Sequence, residues 1–284
     1  MSKGRLWWHA TRPATLAASV SPVLIGTAIA VHDGRVRAAA GVLALVVALA
    51  LQVGVNYAND YSDFKRGADT PWRVGPPRAA ASGLIAPRAV RAAALAAFGV
   101  AMVAGLALSL LTNPWLIALG AACVAAGWLY TGGPRPYGYA GLGEAFVFVF
   151  FGLVACVGTV YVHELRITSE ALVAGAACGL LASAILGLNN LRDIDTDRAA
   201  GKRTLAVLAG RPSARAVIVA LVLVAFVLGA AVARRWLVLL AAPLAAAALW
   251  TMGSTAPPVL VRGLKRMASA EILFALLWTL ALLL

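Results

Sequence analysis

The chain has 284 residues, 62 % of them apolar and 12 % charged, with a formal net charge of +13. Burying that much apolar surface in one water-soluble core would leave greasy patches outside, so the composition excludes an ordinary soluble domain and points to a bilayer. The positive charge invites a nucleic-acid reading, but on a membrane protein it reports topology first, and we expect no nucleic-acid partner.

A membrane-crossing helix needs about 20 mostly apolar residues. Nine runs qualify, at 14–31, 38–57, 91–111, 114–130, 144–162, 171–190, 215–233, 236–253 and 268–284. The chain therefore reads as all-α, one membrane domain over residues 1–284, a polytopic bundle of nine transmembrane helices. The first run follows Arg12-Pro13 and is trailed by eight more, so it reads as a retained helix rather than a cleaved signal. With the N-terminus in the cytoplasm, nineteen of the 24 Lys and Arg fall on that side and five on the other. That positive-inside bias puts the C-terminus outside the cell membrane.

The second run leads into Asn59-Asp60-Tyr-Ser-Asp63-Phe-Lys65-Arg66-Gly67-Ala-Asp69. The sixth leads into Asn189-Asn190-Leu-Arg192-Asp193-Ile-Asp195-Thr-Asp197, then Gly201-Lys202-Arg203-Thr204. These two stretches hold six of the seven aspartates, and both face the cytoplasm. The polar stretches around them, 58–90 and 191–214, are longer than plain helix connectors and read as loops over a cavity. An internal echo, G-x-N-x-x-x-D at Gly54 to Asp60 and at Gly187 to Asp193, suggests a duplicated four-helix unit with a ninth helix added.

Residues three or four apart share a helix face. If the helices continue into the motifs, Asn56 aligns with Asp60, Asn59 with Asp63, and Asn189 with Asp193 and Asp197, while Asp195 points elsewhere. Gly67 lets the chain turn so that Asp69 returns. Five carboxylates (Asp60, Asp63, Asp69, Asp193 and Asp197) are then expected at one pocket. So many like charges repel unless cations neutralise them. Oxygen-only clusters without His or Cys suit Mg²⁺, which completes its shell with water and phosphate oxygens. Two such groups facing each other would hold a diphosphate, with Lys65, Arg135, Arg192 and Lys202 in reach of its remaining oxygens. Metal ions and bases on that group stabilise it as it leaves. An allylic lipid so activated alkylates an electron-rich aromatic partner inside the water-free bundle.

Other features read as ordinary. Neither motif supplies the Gly and Glu of an EF-hand. Cys123, Cys156 and Cys178 lie within spans, without a CxxC pair, and read as small core residues. His9, His32 and His163 read as solvated, and Glu271 with Ser269 as an N-terminal cap of the ninth helix. The run Phe146, Phe148, Phe150 and Phe151 reads as core or lipid-facing, and Glu144 either begins a helix or joins the site. Tyr57, Tyr130 and Tyr139, with Asn56 and Asn189 at the heads of the motifs, are expected to touch an aromatic substrate.

At these residues the chain resembles the UbiA superfamily of intramembrane aromatic prenyltransferases, in its dihydroxynaphthoate branch. The likeness runs through Arg12-Pro13-Ala14-Thr15, Ser21-Pro22, the first motif, Gly75-Pro76, Ser82-Gly83, Tyr130-Thr-Gly-Gly133-Pro with Tyr139 and Gly143-Glu144, and the second motif to Thr204-Leu205. The resemblance implies nine helices around a central cavity with a lateral opening to lipid. It implies Mg²⁺-dependent transfer of a polyprenyl group from its diphosphate to an aromatic acid, in this branch with loss of the ring carboxylate to give demethylmenaquinone. By position, Asn59, Asp63, Asp69, Asp193 and Asp197 match the metal-binding motifs, with Asp63, Asp193 and Asp197 as catalytic residues and Asp60 competing with Asp69 as a ligand. The superfamily's commoner first motif carries an Asp where this chain has Gly67, and Ala14 stands where the branch often has a base. Other acceptors (4-hydroxybenzoate, haem or a chlorophyllide) are the alternative within the class, and a cation transporter is the alternative outside it. A transporter would place its acids mid-span, whereas these gather at one mouth.

Overall fold

A computed structural model describes residues 2–68, 78–232 and 235–284. A short helix α1 (Lys3–Ala10), capped by the Ser2 side chain, precedes the spans. The spans are α2 (Pro13–His32), α3 (Ala38–Lys65), α4 (Pro87–Leu111), α5 (Leu116–Leu129), α6 (Gly143–Glu164), α7 (Ser169–Ala199), α8 (Leu205–Ala231), α9 (Trp236–Gly253) and α10 (Pro257–Leu283). Eight are long and apolar enough to cross a membrane, and the shorter α5 makes the ninth. The described residues contain no strand, and the protein is a multi-pass membrane protein.

Helix length explains where the polar motifs end up. At 1.5 Å per residue, the 28 residues of α3 reach about 42 Å and the 31 of α7 about 46 Å, against a hydrocarbon core of about 30 Å. Both helices therefore run past the apolar region and carry their motifs on projecting last turns. The stretch expected as a second long loop is helix on both sides, with only residues 200–204 between. In α8 the left-handed Gly210 (φ 76°), two residues before Pro212, sets a short first segment at an angle to the span.

α7 is the central helix, buried along most of its length, and the main core gathers α2, α6, α8 and α10 around it. Two glycines permit close pairing of the motif helices. A Cβ on Gly54 would lie 3.0 Å from Phe98 of α4, and one on Gly187 would lie 2.8 Å from Ile218 of α8. Each motif helix is thus pressed onto the helix that follows it.

Two minor readings need correction. α10 begins at Pro257, so Glu271 is not a cap but lies mid-helix, 1 % exposed. The bases Arg262, Lys265 and Arg266 hid that first part of the helix from a hydropathy window. His163 is buried rather than solvated, its Nδ1 accepting the Arg37 backbone N–H at 3.1 Å.

Candidate active site

The two motif helices end in the same way. At the end of α3, Gly67 takes a left-handed conformation (φ 70°), its N–H bonds to Phe64 O, and the Ala68 N–H reaches back to Asp63 O. At the end of α7, Gly201 (φ 72°) bonds to Arg198 O and the Lys202 N–H reaches back to Asp197 O. Both are Schellman caps, with an aspartate four residues before the glycine. Gly67 therefore serves as the turn residue of this pattern. The shared caps align Asn59 with Asp193 and Asp63 with Asp197, one residue off the register of the sequence echo. The second cap also returns Lys202 over the mouth.

Asp63 is the hub. It is 2 % exposed; Oδ1 accepts from the Tyr139 hydroxyl at 2.9 Å and lies 3.1 Å from Lys202 Nζ, while Oδ2 pairs with Arg78 Nη2 at 3.2 Å. Lys202 also approaches Asp197 at 3.9 Å, so the ends of α3 and α7 meet through one ammonium group. Two bases approach the Tyr139 ring, Lys202 Nζ at 4.8 Å and the Arg66 guanidinium at 5.5 Å from its centre. Burial first, and then the Asp63 charge, push the Tyr139 phenol well above its ordinary range, so it stays a donor. On the other motif, Arg192 donates to its neighbour Asp193 through Nε (2.6 Å) and Nη2, and to Asn189 Oδ1 at 2.9 Å. Thr131, in the turn after α5, donates to Asn59 Oδ1 at 2.8 Å.

Most of these groups open on a small polar chamber of about 50 Å³, walled by Asn59, Asp63, Asp193, Asp197, Arg78 and Lys202 among others. Below it lies an apolar cavity of about 540 Å³ between α2, α3, α4, α5, α6 and α7. Arg12, Asn59, Tyr130 and Asn189 line both, so they mark the boundary between charge and grease. On α3 the cavity wall is the stripe Ala44, Val47/Ala48, Leu51/Gln52 and Val55/Asn56, the periodicity of one helix face.

Several expected residues lie elsewhere. Asp60 lines neither chamber; its oxygens accept the backbone N–H groups of Ala79 (2.8 Å) and Ala80 (3.1 Å), which holds the chain after the first motif. Lys65 and Arg135 are exposed and line neither chamber. Lys65 follows Asp63 by two residues, the wrong interval for one helix face. Tyr57 turns from Asn56 toward α1 and packs edge-on against Trp7, ring centres 5.4 Å apart. Asn56 lines the apolar cavity but donates to Thr11 O at 2.8 Å. Arg192 braces Asp193 and lines neither chamber. Asp195 points outward to Arg211 at 2.7 Å, as its spacing requires. Glu144 accepts from Asn190 at 2.9 Å, beside the boundary. Asp69 lies outside the described residues. Arg12 and Arg78 are the functional candidates that sequence reasoning passed over. The signal for Arg12 was its place beside the Pro13 that starts α2, whereas nothing local distinguishes Arg78 from its neighbours.

Among the described residues, no three acidic, His or Cys side chains already enclose a metal site. The oxygens of Asn59, Asp63, Asp193 and Asp197 nevertheless open on one chamber with no nitrogen or sulfur ligand among them. That donor set fits Mg²⁺, which takes few protein oxygens and leaves places for phosphate.

The fold and site together define an integral membrane helical bundle in which a mouth of acids and bases opens into a greasy interior. Residues 19–256 match the UbiA prenyltransferase family, and the chain belongs to that family. It is 49 % identical over 243 residues to 1,4-dihydroxy-2-naphthoate octaprenyltransferase of Mycobacterium tuberculosis, covering 84 % of this chain and 83 % of that one. It is 38 % identical over 221 residues to the Escherichia coli protein of the same name, covering 76 % and 72 %. Among solved structures it resembles a UbiA homolog from Archaeoglobus fulgidus bound to GPP and Mg²⁺, with TM-score 0.66 and 14 % identity over the whole of both chains. It also resembles the apo UbiA homolog from Aeropyrum pernix K1, with TM-score 0.66 and 17 % identity over 95 % and 96 %.

Proposed function

We propose that the protein transfers a polyprenyl group from its diphosphate to 1,4-dihydroxy-2-naphthoate, with loss of the ring carboxylate, to give demethylmenaquinone. The observation that carries the reading is the direct continuity of the charged chamber with the 540 Å³ apolar cavity at Arg12, Asn59, Tyr130 and Asn189. A molecule with a polyanionic head and a long apolar tail matches that contrast. Relatives 34–49 % identical share the naphthoate octaprenyltransferase name, which favours this acceptor over others of the superfamily.

Asn59, Asp63, Asp193 and Asp197 would hold Mg²⁺, which supplies Lewis-acid neutralisation of the diphosphate when bound. Lys202 and Arg78 both rest on Asp63. When a diphosphate arrives they turn to its oxygens, so its charge meets prearranged bases. Arg12 reaches the same group from α2, and Arg192 keeps Asp193 aimed. The allylic carbon then lies at the boundary, where Tyr130 and Asn189 orient the acceptor ring beside it. The apolar walls keep water from capturing the carbocation before the ring attacks. The transfer takes place at the cytoplasmic face of the cell membrane, where the basic residues concentrate. Expression in a bacterium deleted for its own naphthoate prenyltransferase tests the reading. Menaquinone returns if it holds, and its continued absence, with the protein present in the membrane, contradicts it.

A further inference from the structure

Beside the boundary between the two chambers, the start of α6 is tied to α7. Gly143 allows a close approach there: a Cβ on it would lie 3.2 Å from Leu186 of α7 and 3.6 Å from the Tyr130 hydroxyl. The next residue, Glu144, is bonded to α7 twice. Its backbone O accepts from Ser183 Oγ at 2.9 Å, and its Oε1 accepts from Asn190 Nδ2 at 2.9 Å. Glu144 itself lines neither chamber, whereas Asn190, 5 % exposed, lines the polar one.

The tie decides which atom of Asn190 meets a ligand. A carboxylate oxygen accepts and does not donate, so Glu144 draws the amide nitrogen and leaves Oδ1 for the chamber that Asn190 lines. A carbonyl oxygen repels the oxygens of a diphosphate, which Lys202, Arg78 and Arg12 are better placed to meet. It suits a hydroxyl hydrogen instead. Asn190 follows Asn189, which lines both chambers, and it stands one turn on the cavity side of Asp193. In the prenyl-transfer reading that is where the acceptor ring lies, beside the charged head of the donor.

We propose that Asn190 Oδ1 accepts a ring hydroxyl of the aromatic acceptor, and that Glu144 is the positioning residue that holds the amide in this orientation. The pair then selects a ring that brings a hydroxyl hydrogen to this point over one that carries an ether there, because the ether leaves a buried carbonyl oxygen unpaired. The proposal rests on the prenyl-transfer reading and adds to it the residues that recognise the acceptor's hydroxyl.

The test titrates purified protein with 1,4-dihydroxy-2-naphthoate and with each of its two monomethyl ethers, in Mg²⁺ and geranyl S-thiolodiphosphate as a slowly reacting donor analogue. Wild type should prefer the naphthoate over one of the ethers by about tenfold or more. Asn190→Leu keeps the volume without the carbonyl. Glu144→Gln offers an N–H to Asn190 Oδ1 and so turns the amide nitrogen toward the ligand. Both should abolish the preference while leaving diphosphate affinity and the Mg²⁺ requirement unchanged. Ser183→Ala cuts only the other tie to Glu144 and should keep the preference. If Asn190→Leu fails to fold, the nearly isosteric Glu144→Gln carries the test. A wild type indifferent to both ethers, or a preference undiminished in either variant, overturns the proposal. So does a loss of Mg²⁺ or diphosphate affinity as large as the loss for the naphthoate, which would make Asn190 a metal ligand. If wild type with Mg²⁺ and octaprenyl diphosphate forms no prenylated naphthoate, the prenyl-transfer reading fails instead.

Discussion

Asp63→Asn separates charge from shape at the hub of the site. Asparagine keeps the volume and an oxygen for the Tyr139 hydroxyl, but removes the charge that Lys202 at 3.1 Å and Arg78 at 3.2 Å now share. Both bases are mostly buried, at 14 % and 10 % side-chain exposure, so they are left facing each other across a neutral group. Breaking one partner of a buried ion pair costs about 3–5 kcal/mol, and the lower end applies because the chamber admits water. Losing one preorganised electrostatic group costs about 10²–10³ in turnover. Released diphosphate is assayed on purified protein in detergent with saturating Mg²⁺, octaprenyl diphosphate and dihydroxynaphthoate, beside a thermal unfolding curve. Asp60→Asn is the contrast, since its carboxylate grips the Ala79 and Ala80 amides and its loss should lower stability far more than turnover. Asp63→Asn within about threefold of wild type, with Asp60→Asn inactive though folded, would refute the reasoning, since threefold is well under 1 kcal/mol of barrier.

Lys202→Ala should weaken polyprenyl diphosphate binding at least about tenfold and naphthoate binding little, by titration, whereas the exposed Lys65→Ala and Arg135→Ala should change neither. Gly201→Ala forces a side chain into a left-handed cap where space is open, at about 1 kcal/mol. A lower unfolding midpoint with a raised KM for the diphosphate is the expected outcome. A reporter fused after Leu284 should signal from outside the cytoplasm, and a cytoplasmic signal would contradict the nine-span topology.

The spans were legible because a bilayer demands long apolar runs and tolerates little else. Their polar ends were less so: the helix containing Arg262, Lys265 and Arg266 continues for more than two turns ahead of its apolar run. The convergence of α3 and α7 was legible in their paired motifs, since residues four apart share a face. Adjacent positions were misread for the same reason. Tyr57 follows Asn56 and Asp60 follows Asn59, yet each step turns about 100° around the helix and delivers the side chain to a different neighbour. Arg12 and Arg78 escaped notice because only tertiary packing brings them to the chamber. The D-x-x-x-G pattern of both caps stands openly in the chain, but its meaning depends on the two glycines turning left-handed, which a spacing rule for helix faces does not report.

The central claim is that charged mouth and greasy cavity form one site for a polyprenyl diphosphate and a naphthoate acid. Purified protein incubated with Mg²⁺, octaprenyl diphosphate and ring-carboxylate-labelled 1,4-dihydroxy-2-naphthoate tests it most directly. The account predicts prenylated product, released diphosphate and labelled carbon dioxide in equal amounts. Prenylation of 4-hydroxybenzoate in place of the naphthoate, or diphosphate release without a carbon–carbon product, would contradict it.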